Sequence, residues 1–347
     1  MKRGNPMKAL VLEEYNNFVY KDFPDPQISE NEVLIKIAAA SICGSDVHGM
    51  DGSTGRRIPP IVMGHEASGE IVAVGGSVTG YQAGDRVTFD STVYCGKCDF
   101  CKQGKVNLCE DRKVLGVSCG DYRMHGAFAE YLAVPEHILY RVPDGVSYEK
   151  AAMVEPLSIA LHAANMTDIN INDTAVVVGA GMIGLLIIQV LSISGCTKII
   201  AVDLDQNKLD MAEKFGAIGL KSDDNIIDEI LALTNGRGAD IAFEAVGINP
   251  TVQTAINSVK KGGGVTLVGN LAPEVTLPLQ KVVTGQLKLQ GTCNSSGEYS
   301  DCLDLISSGK VDVEAFISAV APLSEGAMWF DKLYNGKDNL MKVILKP

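Results

Sequence analysis

The sequence predicts an α/β protein in which a doubly wound parallel sheet is inserted into a β-rich domain split between the two ends of the chain. Three observations carry that reading. Residues 7 to about 90 read as short strands broken by turns. From Ser147 onward, helices alternate with apolar strands. From about residue 296 the pattern returns to mixed structure and finishes in an apolar strand at 341–345. At 347 residues the chain exceeds one ordinary core, so two domains are expected. The β-rich domain takes 1–154 and 296–347, and the inserted domain takes 155–295.

Residues 7–12 form the first expected strand, with residues 1–6 as an extension ahead of it. Strands follow at 32–37, 71–74 and 87–89, punctuated by Gly75, Gly76, Gly80, Gly84 and Asp85. The strand pattern resumes at 127–134 and is broken at Pro143, Asp144 and Gly145. A helix is then expected over 157–164, with Pro156 in its first turn, where a missing N–H is no loss. Beyond it come a strand at 174–178, a helix at 185–191 and a strand at 199–202. A helix at 208–215 and a strand at 241–244 follow, and then a helix at 251–259 and a strand at 265–268. Such alternation builds a right-handed, doubly wound parallel sheet.

The first of those inner strands runs straight into Gly179, Ala180, Gly181, Met182, Ile183 and Gly184. Strand, glycines, helix is the required context of the dinucleotide (Rossmann) fingerprint. The first glycine permits the tight turn and the second lets the backbone approach a pyrophosphate. The third lets helix pack on strand, while the helix start faces the phosphate charge. Asp203 ends the next strand, nineteen positions after Gly184, where an acid can accept from the adenosine ribose hydroxyls.

Two clusters interrupt the β-rich part. Cys95, Cys98, Cys101 and Cys109 form CxxCxxCx7C in a loop that also carries Lys97, Asp99, Lys102 and Lys105. Four thiolates close a tetrahedral zinc site with no vacant position, so this one is structural. The second cluster is Cys43-Gly44-Ser45-Asp46-Val47-His48, followed by Gly64-His65-Glu66. Thiolate, imidazole and carboxylate make a three-ligand zinc set with room for water or substrate, and zinc there acts as a Lewis acid.

Composition removes other classes. A net charge of −12 argues against nucleic acid and anionic membrane as partners. No apolar run reaches the roughly 18 residues of a membrane span, and no apolar segment of secretory type follows Met1. Nine cysteines, four of them in one tight cluster, favour metal over disulfides and a reducing, cytoplasmic setting.

From residue 7 to residue 346 the sequence resembles the zinc-containing medium-chain dehydrogenase/reductase superfamily, and within it the polyol (sorbitol, L-iditol) dehydrogenase branch. The motifs quoted above carry the resemblance, together with Gly84-Asp85-Arg86-Val87 and Glu155-Pro156-Leu157. It implies a GroES-like fold for the β-rich part and an active site in the cleft between domains. It implies two zinc ions per chain, NAD as cofactor, a small-molecule alcohol as substrate and assembly as a homodimer or homotetramer. Catalytic zinc ligands fall on Cys43, His65 and Glu66, with either Glu155 or water as the fourth. Ser45 matches the hydroxyl that takes the substrate proton, and His48 matches the histidine that passes it on. Asp203 and Lys208 match the pair that holds the adenosine ribose. The expected reaction is reversible oxidation of a secondary alcohol, of a polyol or sugar derivative, to a ketone. Threonine 3-dehydrogenase shares this pattern, and a non-catalytic relative would keep the fold but lose ligands or relay residues. Polyol enzymes of the branch often carry an arginine after the last strand of the nucleotide domain. Here the stretch is Gly291-Thr292-Cys293-Asn294-Ser295, which points to a polyol other than unmodified sorbitol.

Overall fold

The computed structural model describes residues 6–119 and 122–347, and the expected extension at residues 1–5 lies outside them. The chain forms two compact units. One runs to Glu155 and resumes at Tyr299, and the other is Pro156–Glu298.

In the first unit, one sheet carries the strands in the order Leu139–Arg141, Arg86–Phe89, Glu66–Val74, Glu32–Ser41, Lys342–Lys346 and Ile317–Pro322. Tyr131–Pro135 also pairs with Glu32–Ser41. A smaller sheet orders Asn17–Phe23, Met7–Glu14 and Ile61–Val62. Alternating burial along Glu32–Ser41 shows one face turned to a core that includes Leu10, Ile35, Ile71, Phe89 and Phe128. The register places Ser41 opposite both Glu66 and Ile344. Residues 41, 66 and 342–344 therefore meet at one end of three adjacent strands.

The strand expected at 127–134 begins only at Tyr131. Ahead of it, the amides of Ala127 and Phe128 bond the carbonyls of Gly64 and Met63, so this stretch backs the Gly64 turn instead of extending the sheet.

The second unit is a six-stranded parallel sheet in the order Ile218–Lys221, Lys198–Asp203, Thr174–Val178, Ala239–Glu244, Val259–Leu267, Lys288–Gly291. Counted within the unit this is 3-2-1-4-5-6, the order of a doubly wound dinucleotide domain, whose ligand crevice opens where the order reverses. That point lies between Thr174–Val178 and Ala239–Glu244, where the glycine turn follows. Val259–Leu267 begins earlier than its sequence suggested, running through Gly262, Gly263 and Gly264. Of the three, Gly264 is paired on both sides, opposite Ile241 and Lys288, while Gly262 has φ +75° and lies at a register shift between Val259 and Gly264. Among the described residues no helix is long and apolar enough to cross a membrane.

Candidate active site

The candidate metal cluster is assembled from three pieces of the first unit. Cys43 is the residue before the helix Gly44–Gly49. That helix turns Asp46 and Val47 inward and leaves Ser45 and His48 on its exposed side, one turn apart. His65 and Glu66 follow Gly64, whose φ of +96° sets the turn and whose missing Cβ would stand 3.0 Å from Phe128. Donor atoms of Cys43, His65 and Glu66 lie within 4.8 Å of one another.

Two of these three side chains, His65 and Glu66, are backed by buried charges. His65 Nδ1 faces Asp46 Oδ2 at 3.4 Å, a charge contact in which neither atom has a hydrogen-bond partner among the described residues, and this leaves Nε2 for the cluster. Asp46 is fully buried, and Arg57 donates to its Oδ1 through Nε (2.9 Å) and Nη2 (2.7 Å). Burial opposes ionisation of Asp46, but His65 and Arg57 outweigh it and hold the carboxyl down at about 2. Glu66 is 1% exposed. Its Oε2 accepts from Ser41 Oγ and from the ammonium of Lys342 at 2.7 Å. Its Oε1 is buried with no partner. A buried carboxylate oxygen without a partner is costly, and zinc beside Cys43 Sγ and His65 Nε2 would satisfy it. The donor set therefore fits a zinc ion, with a vacancy for substrate.

Glu155 lies in the first turn of the helix Val154–Asn165. Burial is the main cause that pushes its carboxyl up to about 8. Glu66 adds to the shift while His65 and Lys342 oppose it. Asp46 lies within the motif at 43–48 without a role evident from the sequence, and Arg57, Ser41 and Lys342 belong to no motif. Lys342 is the first residue of the strand Lys342–Lys346 and is 2% exposed, a buried cation that only the fold reveals.

In the four-cysteine lobe all four sulfurs converge. Backbone N–H groups already point at sulfur, from Cys95 to Cys109 Sγ (3.3 Å) and from Cys98 to Cys95 Sγ (3.4 Å). Amides of Cys101 and Glu110 hold the Cys98 thiol down at about 6. Burial and the neighbouring Cys98 push Cys101 up to about 12. Four thiols so crowded cannot all ionise unaided, and a divalent cation resolves the conflict.

In the second unit the fingerprint glycines differ in what surrounds them. A Cβ on Gly179 (φ +96°) would meet Val246 at 2.5 Å, and one on Gly184 would stand 1.8 Å from the Gly179 carbonyl oxygen. A Cβ on Gly181, at the head of the helix Met182–Ile193, would meet nothing within 4 Å. The first and third glycines thus serve the fold, and the second leaves a cradle over the helix start that fits a pyrophosphate. Asp203 Oδ2 accepts from the Ala180 amide at 2.8 Å, fixing the acid beside the glycine turn, and Lys208 Nζ is 3.9 Å from Oδ1.

A nucleotide-type unit in one chain with a β-rich unit bearing one closed and one open metal cluster is the build of a metal-dependent oxidoreductase. Comparison with known proteins makes the class specific. Residues 29–144 match the alcohol dehydrogenase GroES-like domain, and residues 183–308 match the zinc-binding dehydrogenase domain. Sorbitol dehydrogenase of Bacillus subtilis (strain 168) is 33% identical over 348 residues, covering 98% of this chain and 97% of its own. D-xylulose reductase A of Aspergillus oryzae is 34% identical over 340 residues, covering 95% and 94%. Among solved structures, 2R,3R-butanediol dehydrogenase from Bacillus subtilis superposes with a TM-score of 0.89 at 30% identity, covering 98% and 99%. The chain belongs to the zinc-dependent medium-chain dehydrogenase/reductase family, on its polyol dehydrogenase-like branch.

Proposed function

We propose that the protein reversibly oxidises a secondary alcohol of a polyol or sugar-alcohol derivative to the ketone, with NAD as hydride acceptor. The observation that carries this reading is Glu66, whose Oε1 is buried and unpartnered beside Cys43 and His65. Zinc held by Cys43, His65 and Glu66 supplies a Lewis acid for the substrate oxygen, and NAD held over the glycine turn supplies the hydride acceptor. This chain's own residues do the rest. Ser45, beside Cys43 on the exposed side of its helix, takes the hydroxyl proton as it gives up its own, and His48 one turn later carries the released proton to solvent. Asp46 keeps His65 in one orientation, and Lys342 and Ser41 keep Glu66 in one orientation.

The similarity to sorbitol dehydrogenase and D-xylulose reductase supports a substrate with several hydroxyls. The four-cysteine spacing supports a structural zinc, cysteine usage supports a cytoplasmic setting, and the family resemblance supports assembly as a homodimer or homotetramer. Asp203 and Asp205 favour NAD over NADP, since residues 204–207 offer no arginine to a 2′-phosphate. The test is NADH formation by the purified enzyme across polyols, sugar phosphates, simple primary alcohols and threonine. A polyol or sugar phosphate should give the highest kcat/KM. A higher value for ethanol, or reaction with threonine alone, would overturn the assignment.

A further inference from the structure

Arg57 belongs to no motif. It lies in the loop between the helix Gly44–Gly49 and the strand Ile61–Val62, where its neighbour Arg56 is exposed, yet it is only 3% exposed. Beyond its two bonds to Asp46 Oδ1, its Nη2 also donates to Ser45 Oγ at 3.2 Å. Nη1 donates to the Arg56 carbonyl at 3.3 Å, which fixes the remaining edge of the plane. One guanidinium therefore grips two consecutive residues that face different partners. Asp46 backs His65, and Ser45 donates to Cys43 Sγ at 3.2 Å. The helix makes room for it: a Cβ on Gly49 would stand 2.6 Å from Arg57 Cγ, in the path of a stem whose head is pinned.

The physical consequence differs for the two residues. Asp46 has no solvent to set its plane, so the fork on Oδ1 decides where Oδ2 points, and with it the tilt of the His65 ring. Ser45 has one proton and two lone pairs. Accepting from Nη2 occupies one lone pair and directs its proton away from the guanidinium, toward the Cys43 side. A guanidinium keeps its charge and its planar set of donors at any working pH, whereas a lysine offers one compact charge.

We propose that Arg57 is the positioning residue of this active site, holding the His65 ring through Asp46 and presenting Ser45 to the substrate. The Ser45 arm rests on the reading of Ser45 as proton acceptor given above, and the Asp46 arm does not. The test compares Arg57→Lys, Arg57→Met and Ser45→Ala as purified holoenzymes. It reads the visible spectrum after cobalt replaces the catalytic zinc, the removal of that metal by a chelator, and kcat and KM at full metal loading. Arg57→Lys should fold, keep the wild-type KM for NAD and hold the four-cysteine zinc normally. Its cobalt spectrum should shift, its catalytic metal should bind roughly 10- to 100-fold more weakly, and its kcat at full loading should fall about tenfold. Arg57→Met should show larger changes in the same readouts, and if it does not fold, Arg57→Lys decides alone. A wild-type cobalt spectrum and wild-type chelator sensitivity in Arg57→Lys would overturn the proposal. A moved spectrum with unchanged kcat would overturn its Ser45 arm. Normal turnover in Ser45→Ala would remove the underlying reading of Ser45, while the two metal readouts still judge Arg57.

Discussion

Alanine at Gly181 and alanine at Gly184 should separate cofactor binding from folding. Gly181 has φ −72° and ψ −171°, a conformation any residue adopts, and its added methyl would meet nothing within 4 Å. The free protein should therefore keep its stability to within about 1 kcal/mol, the scale of a weakened helix cap offset by a stiffer unfolded chain. The same methyl stands where a pyrophosphate must approach the backbone, so the Kd for NADH should rise roughly 10- to 100-fold, or about 1.4–2.7 kcal/mol. At Gly184 the methyl would lie 1.8 Å from a backbone carbonyl oxygen, and only separation of helix from strand relieves that. Overpacking of this kind costs about 1–3 kcal/mol or more, and each kcal/mol lowers Tm by roughly 2–4 °C in a domain of 150–250 residues. NADH fluorescence titration and thermal unfolding measure the two effects. A Gly181→Ala variant that binds NADH as tightly as wild type would refute the placement of the pyrophosphate. A Gly184→Ala variant of unchanged Tm would refute the packing argument.

Cys98→Ser should remove the lobe zinc and lower thermal stability while the folded remainder keeps its catalytic metal; a stable variant still holding two zinc per chain contradicts this. NAD should exceed NADP in kcat/KM by roughly 30-fold, about 2 kcal/mol, because a 2′-phosphate would face Asp203; equal efficiencies at ordinary ionic strength count against it. Ser45→Ala should keep both zinc ions but lose about 100-fold or more in kcat, and His48→Gln should lose less because water replaces it at the solvent end. Normal turnover in Ser45→Ala shows that the proton leaves by another route.

What could be read in the sequence was local. CxxCxxCx7C and GxGxxG each lie within one loop or one strand–turn–helix unit, so spacing alone reports which atoms converge. Cys43 and His65 were legible because few other roles suit those residue types beside Gly64 and Glu66. Ser41 and Lys342 were not, because they reach Glu66 only through strand register, across 25 and 276 positions of chain. Arg57 was hidden for a related reason: a charged residue in a Gly- and Ser-rich loop reads as solvated, and only the path of that loop buries it. The late start of the strand at Tyr131 has the same origin, since residues 127–128 give their amides to the Gly64 turn.

Hydride removal from a secondary carbon of a polyol can be followed with a substrate deuterated at that carbon. The enzyme, loaded with zinc and supplied with NAD, should give NADH carrying one deuterium together with a stoichiometric ketone, both read by mass spectrometry. Chelation of the catalytic zinc should stop both products together, and added zinc should restore them. Deuterium-free NADH, an aldehyde product, or full activity after that zinc is removed would rule this chemistry out.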